Sequence, residues 1–170
     1  MLNTRPGVTL IELLIAIAIL GIVVTLGLPA FGEWLQNTQI RTAAEAVLNG
    51  LQLARAEAVK RNGLVTFALS GKDWAVTVNS TGEAIQARKA GEGSKNAVIS
   101  ASPAGTTAVT FNALGRPTAS SGITFSITNP VGGGCQTAGG PMRCLNITVL
   151  AGGQTRLCDP KLASTDPRGC

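Results

Sequence analysis

The sequence predicts an α+β protein in which one long N-terminal helix precedes an antiparallel β domain. Residues 8–28 carry one charged side chain, Glu12, and as a helix they would span about 30 Å, the thickness of a bilayer core. Apolar residues then recur at helical spacing across residues 40–58. After Gly63 the pattern changes to short alternating segments separated by turn residues. The sequence therefore predicts a helix whose first half is long enough to cross a membrane, followed by a β-rich head.

The N-terminus combines a short leader carrying Arg5 with a glycine, Gly7, and an acid, Glu12, at the start of the apolar segment. A carboxylate in hydrocarbon costs about 2.5–3.5 kcal/mol, so Glu12 is expected to have a partner and a function. An ordinary secretory signal would have a shorter apolar core and small residues before its cleavage site. A plain single-span anchor would explain the hydrophobicity and, through Arg5, a cytoplasmic N-terminus. Neither alternative explains Gly7 and Glu12.

The segment from Gly7 to Leu13, GVTLIEL, resembles the class III signal peptides of type IV pilins and type II secretion pseudopilins. The resemblance implies that a prepilin peptidase cuts after Gly7 and methylates the new amine of Val8. It also implies that the Glu12 carboxylate pairs with the N-terminal amine of a neighbouring subunit during filament assembly. The family most often has Phe where this chain has Val8.

Three residues, Gly21, Gly27 and Pro29, are expected to weaken the first half of the helix. Pro29 cannot donate a hydrogen bond and crowds the carbonyl of Thr25, so bending is predicted at residues 27–29. In the pilin family a glycine and a proline that match Gly21 and Pro29 bracket the stretch that loosens when subunits pack into a fibre. The physical argument and the resemblance therefore agree.

The predicted organisation has four parts. Residues 1–7 form the leader, residues 8–29 the transmembrane half of the helix, residues 30–62 its amphipathic half, and residues 63–170 the β-rich head with a disulfide-bonded tail. The apolar stripe of the amphipathic half is expected to pack on the head. Strands are predicted at residues 64–69, 74–78, 84–88, 98–101, 108–111, 123–127 and 144–150.

The four cysteines lie within the last 36 residues, and the chain contains no histidine. Two disulfides in an oxidising compartment follow more naturally from this pattern than a metal site. Three pairings are open, of which the local one, Cys135 with Cys144 and Cys158 with Cys170, closes two short loops. No catalytic motif or paired carboxylates are present in the sequence, so we predict neither an enzyme nor a cofactor.

Later segments extend the resemblance to the GspH/FimT branch of pilin-like proteins. They are residues 51–62 at the end of the helix, residues 111–117 (FNALGRP), and residues 153–158, which resemble the Gly-Arg-x-Arg-x-Cys tail of FimT/FimU-type minor pilins. In some FimT proteins the arginine motif helps bind incoming DNA. Gln154 replaces the first arginine here.

The resemblance implies a type IV pilin-like fold and a minor pilin that supports filament assembly. Its implied partners are other pilins and minor pilins, the prepilin peptidase and the assembly platform of the bacterial inner membrane. The chain would cross that membrane once, with its head in the periplasm, and would later join an extracellular pilus. A type II secretion pseudopilin is an alternative, disfavoured because the disulfide-rich tail looks more like those of pilins.

A second alternative is a pilus-displayed receptor for double-stranded DNA in natural transformation. The formal charge is +5, and residues 95–170 contain six bases against two acids, a net +4. A basic patch is the electrostatic footprint of nucleic-acid binding, although an ordinary solvated surface gives the same count. The candidate DNA-binding residues are Arg143, Arg156, Lys161 and Arg168.

Overall fold

The computed structural model describes residue 7, residues 9–120 and residues 122–170, apart from the side chains of Leu26 and Pro29. The leader residues before Gly7, with Arg5, and the predicted methylation site Val8 lie outside the described residues.

A single helix, α1, runs from Leu10 to Lys60. Its C-terminal end is at the predicted place, since Asn62 adopts a positive φ of 49° and the Gly63 N–H donates to the Ala58 carbonyl. By length and composition, no unbroken helix among the described residues qualifies as a membrane span. The stretches Leu10–Thr25 and Ala30–Lys60, bent by 41° relative to each other, qualify only as a pair. The bend lies across residues 26–29, where the sequence predicts it.

Two four-stranded antiparallel sheets follow the helix in the described chain. Their strands lie in the spatial orders β3-β2-β1-β5 and β4-β6-β7-β8. The strands are β1 Val65–Ser70, β2 Asp73–Val78, β3 Ala84–Arg88, β4 Val98–Ser102, β5 Ala108–Phe111, β6 Ile123–Thr128, β7 Leu145–Val149 and β8 Thr155–Cys158. The sequence analysis missed β8, because its residues, Thr-Arg-Leu-Cys, do not alternate between polar and apolar side chains.

The core lies where the second half of α1 packs against both sheets. Its buried stripe has the spacing predicted from the sequence and consists of Ile40, Ala44, Val47, Leu51, Ala54 and Ala58. These side chains pack with the fully buried rings of Phe67, Phe111 and Phe125. Small residues bring the helix close to the sheets: a Cβ at Gly50 would lie 2.7 Å from the Phe67 ring. Burial begins at Ile40, ten residues after the predicted start of the amphipathic half.

A group of side-chain amides fastens two loops to α1. The Gln36 Oε1 accepts hydrogen bonds from Asn129 Nδ2 at 2.8 Å and from Asn96 Nδ2 at 3.1 Å. The Gln39 Oε1 accepts from the Asn96 N–H at 2.9 Å. Asn129 is fully buried and also donates to the Gln36 carbonyl. The loops after β3 and β6 are therefore held to the half-buried turn of the helix that precedes Ile40.

We expect Asn129→Ala to lower the free energy of unfolding by about 1–3 kcal/mol, because it removes the two hydrogen bonds that a fully buried side chain donates to half-buried Gln36. Denaturant unfolding of the full chain in detergent micelles, followed by the fluorescence of buried Trp74, measures this. Gln52→Ala is the matched control, since it removes an exposed amide from the same helix. Equal effects of the two substitutions would contradict the role given to Asn129.

An ion-pair cluster joins the end of α1 to the turn between β2 and β3. Arg61 pairs with Glu57 and with Glu83, each at 2.8 Å. Hydrogen bonds from Arg61 lower the pKa of Glu83, and those from Arg61 and Lys60 lower the pKa of Glu57. Because these pKa values are lowered by folding, the cluster contributes stability above the unfolded glutamate pKa and loses it as the pH falls through the folded values.

Candidate functional site

The first turn of α1 contains the Thr-x-x-Glu spacing of a helix capping box. Thr9 is the N-cap, and its hydroxyl accepts a hydrogen bond from the Glu12 N–H at 3.3 Å. Glu12 is exposed in this turn, where the helix dipole favours a negative charge. Gly7 is exposed just before the cap. The helix therefore starts at Leu10, three residues after Gly7, where cleavage is predicted.

The first half of α1 packs against nothing else in the described chain. Its large apolar side chains between Leu10 and Leu28, Leu26 aside, are 46–76% exposed. Phe31 and Trp34 continue this surface, with ring centroids 5.7 Å apart. A Cβ at Gly21 would meet no atom within 4 Å. An apolar surface of this length requires lipid or other protein to cover it.

At the opposite end of the sequence, two disulfides close two loops. Cys135 is bonded to Cys144 and Cys158 to Cys170, with Cα–Cα distances of 5.5 Å and 5.1 Å. This is the local pairing among the three that the sequence allowed.

A buried carboxylate, that of Asp159, links the two disulfide loops. It accepts a hydrogen bond from Arg143 Nε at 2.6 Å and another from the Lys161 N–H at 2.9 Å. The Arg143 N–H in turn donates to Asn37 Oδ1 on α1 at 2.7 Å. Arg143 therefore connects the helix, the first loop and the second loop. Sequence reasoning missed Asp159 and Asn37, since no local pattern marks a contact between distant segments.

The other three candidate DNA-binding residues also contact acceptors within the chain. Arg156 Nη2 donates to the carbonyls of Pro167 and Gly169 at 2.9 Å and 2.8 Å, which draws the C-terminal loop onto β8. Lys161 Nζ donates to the Gln136 carbonyl at 3.3 Å. Arg168 pairs with Asp166 at 3.0 Å, and its hydrogen bonds lower the pKa of Asp166. The structure thus gives the four cations internal roles in the tail.

The FNALGRP segment is a tight turn that contacts α1. The Asn112 side-chain oxygen accepts hydrogen bonds from the N–H groups of Leu114 and Arg116. Gly115 has a φ of 69°, which favours glycine, and its carbonyl accepts a hydrogen bond from Arg55 Nε at 3.0 Å. The turn between β7 and β8 packs against it through Gly153. These contacts give the motif a structural reason for its residues.

Two family models match this sequence. The one described as "Type II transport protein GspH" matches residues 43–153, which covers the second half of α1 and most of the head. The chain belongs to the GspH family. The second, described as "Prokaryotic N-terminal methylation motif", matches residues 2–28. Among curated proteins, none matches this GspH-family chain. The predicted membership of the GspH/FimT branch is confirmed.

Solved structures share the fold of this GspH-family chain. The type IV minor pilin FimU of Pseudomonas aeruginosa strain PAO1 is 20% identical with a TM-score of 0.57, and the match covers 77% of this chain and 94% of that one. The minor pseudopilin EpsH from the Type 2 Secretion System of Vibrio cholerae is 15% identical with a TM-score of 0.52, over 73% and 99% of the respective chains. The predicted pilin-like α+β fold is confirmed.

Proposed function

We propose that this GspH-family chain is a minor pilin subunit that enters a type IV pilus, in its body or at its tip, and supports filament assembly. The observation that carries the proposal is the division of α1. The helix is buried on its own head only from Ile40 onward, and its earlier apolar side chains are exposed. A bilayer covers such a helix before assembly, and the packed helices of neighbouring subunits cover it afterwards.

The proposed role has two stages, processing in the inner membrane and entry into a filament. The prepilin peptidase removes residues 1–7 and methylates Val8, while residues 8–29 hold the chain in the inner membrane with its head in the periplasm. The assembly platform then transfers it to a filament of other pilins outside the cell. The match of residues 2–28 to a methylation motif supports the processing step. The role is structural rather than catalytic.

Mass spectrometry of the protein from its native membrane should find Val8 as the first residue, with one added methyl group. Gly7→Phe should block this cleavage and leave the leader attached, because a bulky side chain replaces the small residue at the cut. Gly21→Ala is the matched control: its Cβ would meet nothing within 4 Å in this chain, so processing should be normal. A first residue near Ala30 would contradict the pilin proposal and support an ordinary secretory signal.

A type II secretion pseudopilin is the second candidate, favoured by the GspH family description and by the likeness to EpsH. Both candidates use the same scaffold, so the filament from which the protein is recovered separates them. A DNA receptor on the pilus is a further proposal, supported by the net +4 charge of residues 95–170. The internal hydrogen bonds of Arg156 compete with that role.

A further inference from the structure

Strand β8 is an edge of its sheet, and part of its backbone points away from the sheet. The Leu150 N–H donates to the Gln154 carbonyl, and the register pairs Thr148 with Arg156. Hydrogen-bonded and non-bonded pairs alternate in an antiparallel ladder, so the N–H and C=O groups of Thr155 and Leu157 face away from β7. The described part of the chain offers no hydrogen-bond acceptor to either N–H, whereas the N–H of Asp159, just beyond the strand, already donates to the Arg168 carbonyl at 2.7 Å. The free part of the edge is therefore Thr155–Leu157.

Two hollows lie along this edge, between β8 and one flank of α1. The larger, about 840 Å³, is lined by Val59 on the helix and by Leu150 and Thr155. The other, about 510 Å³, is lined by Trp34 on the helix and by Leu157. A free strand edge beside two hollows that contain both apolar and charged side chains is an arrangement that accepts an added strand, in which backbone hydrogen bonds supply affinity and side-chain pockets supply specificity.

The walls of the two hollows are positively charged. Six bases line them: Arg41, Arg55, Lys60, Arg143, Arg156 and Arg168. The two acids among the lining residues, Glu45 and Asp159, are already paired with Arg41 and Arg143. Glu57 and Asp166 pair with Lys60 and Arg168, so six bases meet four acids, a net +2. Arg55 and Arg156, which supply this excess, donate to carbonyl oxygens.

We propose that the edge of β8 binds an extended, acidic segment of another protein as an added strand. The backbone of the segment bonds to Thr155 and Leu157, its apolar side chains enter the hollows, and its carboxylates face the bases of the walls. A second copy of this chain is disfavoured as the occupant, because each copy carries a formal charge of +5. The inference concerns the edge of β8 and the flank of α1 beside it, and the filament proposal does not depend on this binding, so its failure would leave the proposed filament role intact.

The test uses the full chain in nonionic detergent and a fluorescein-labelled, end-blocked peptide, Val-Glu-Val-Glu-Val-Glu-Val. Thr155→Pro should weaken binding at least tenfold, because it removes the outward N–H without removing a bond to β7. Thr155→Val, which keeps the N–H, should bind like the parent chain. Hydrogen exchange of the unsubstituted chain gives a second readout that needs no variant: the peptide should slow exchange at Thr155 and Leu157.

Two further arms examine the charge and the class of ligand. Lys60→Gln should weaken peptide binding severalfold, whereas Lys89→Gln, an exposed lysine outside the hollows, should not. A peptide with Lys in place of Glu should fail to bind. Absence of binding by the Glu peptide, or binding without protection of the Thr155 and Leu157 amides, would overturn the proposal. The proposal would also be overturned if a 20-base-pair DNA duplex bound instead of the peptide, and if Thr155→Pro and Thr155→Val bound that duplex with equal affinity.

Discussion

We expect Glu12→Ala to abolish entry of the protein into filaments, while insertion into the membrane and the proposed cleavage after Gly7 should remain normal. The substitution removes a charge whose presence in hydrocarbon costs about 2.5–3.5 kcal/mol, so insertion becomes easier. It also removes the carboxylate proposed to pair with the N-terminal amine of the neighbouring subunit. The helix cap survives, because Thr9 accepts its hydrogen bond from the backbone N–H of Glu12. The amount of protein in sheared filaments, relative to the membrane fraction, measures the effect.

Glu33→Ala is the matched control for Glu12, since Glu33 is an exposed acid further along the same helix. It should enter filaments at the parental level. Glu12→Gln keeps the polar shape without the charge and should fail as Glu12→Ala does. Normal incorporation of either Glu12 variant would show that the ionic pairing is not needed for assembly.

Gly153→Ala should lower the free energy of unfolding of the head by about 2–5 kcal/mol, for two reasons that add. Gly153 has a φ of 82°, where an L-residue costs about 1–2 kcal/mol. Its new Cβ would also overlap the carbonyl oxygen of Gly115, and overpacking of this kind costs about 1–3 kcal/mol. The carbonyl of Gly115 cannot rotate away as a flexible side chain can. The β7–β8 turn and the turn that contains Gly115 would therefore have to move apart. Denaturant unfolding of the full chain in detergent measures the loss.

The neighbouring glycine provides a matched control. A Cβ at Gly152 would meet nothing within 4 Å, and its φ lies outside the left-handed region, so Gly152→Ala should change stability by less than about 0.5 kcal/mol. Equal effects of the two substitutions on the free energy of unfolding would contradict the close packing of the β7–β8 turn against Gly115.

Much of the fold could be predicted because its signals are local. The end of α1 at residues 61–63 depends on neighbouring residues, as does the buried stripe from Ile40 to Ala58. Seven of the eight strands in the described chain overlap predicted segments, since alternation over four to six residues can be read from the sequence. Strand β8 was missed because its pairing with β7, rather than its own four residues, makes it a strand.

The candidate site divides in the same way. The sequence by itself determined the cleavage and methylation motif, Glu12, the membrane-length apolar segment and the expectation of two disulfides, because each is a short pattern or a composition. Only the tertiary structure decided that Asp159 is buried against Arg143, that Asn129 holds a loop to Gln36, and that Arg156 bonds to the C-terminal loop. The residues joined by these three contacts lie 16, 93 and 13 positions apart in the sequence. The sequence shows which residues are basic. Whether the charge of such a residue faces solvent or an acceptor of its own chain depends on which distant segments lie beside it after folding.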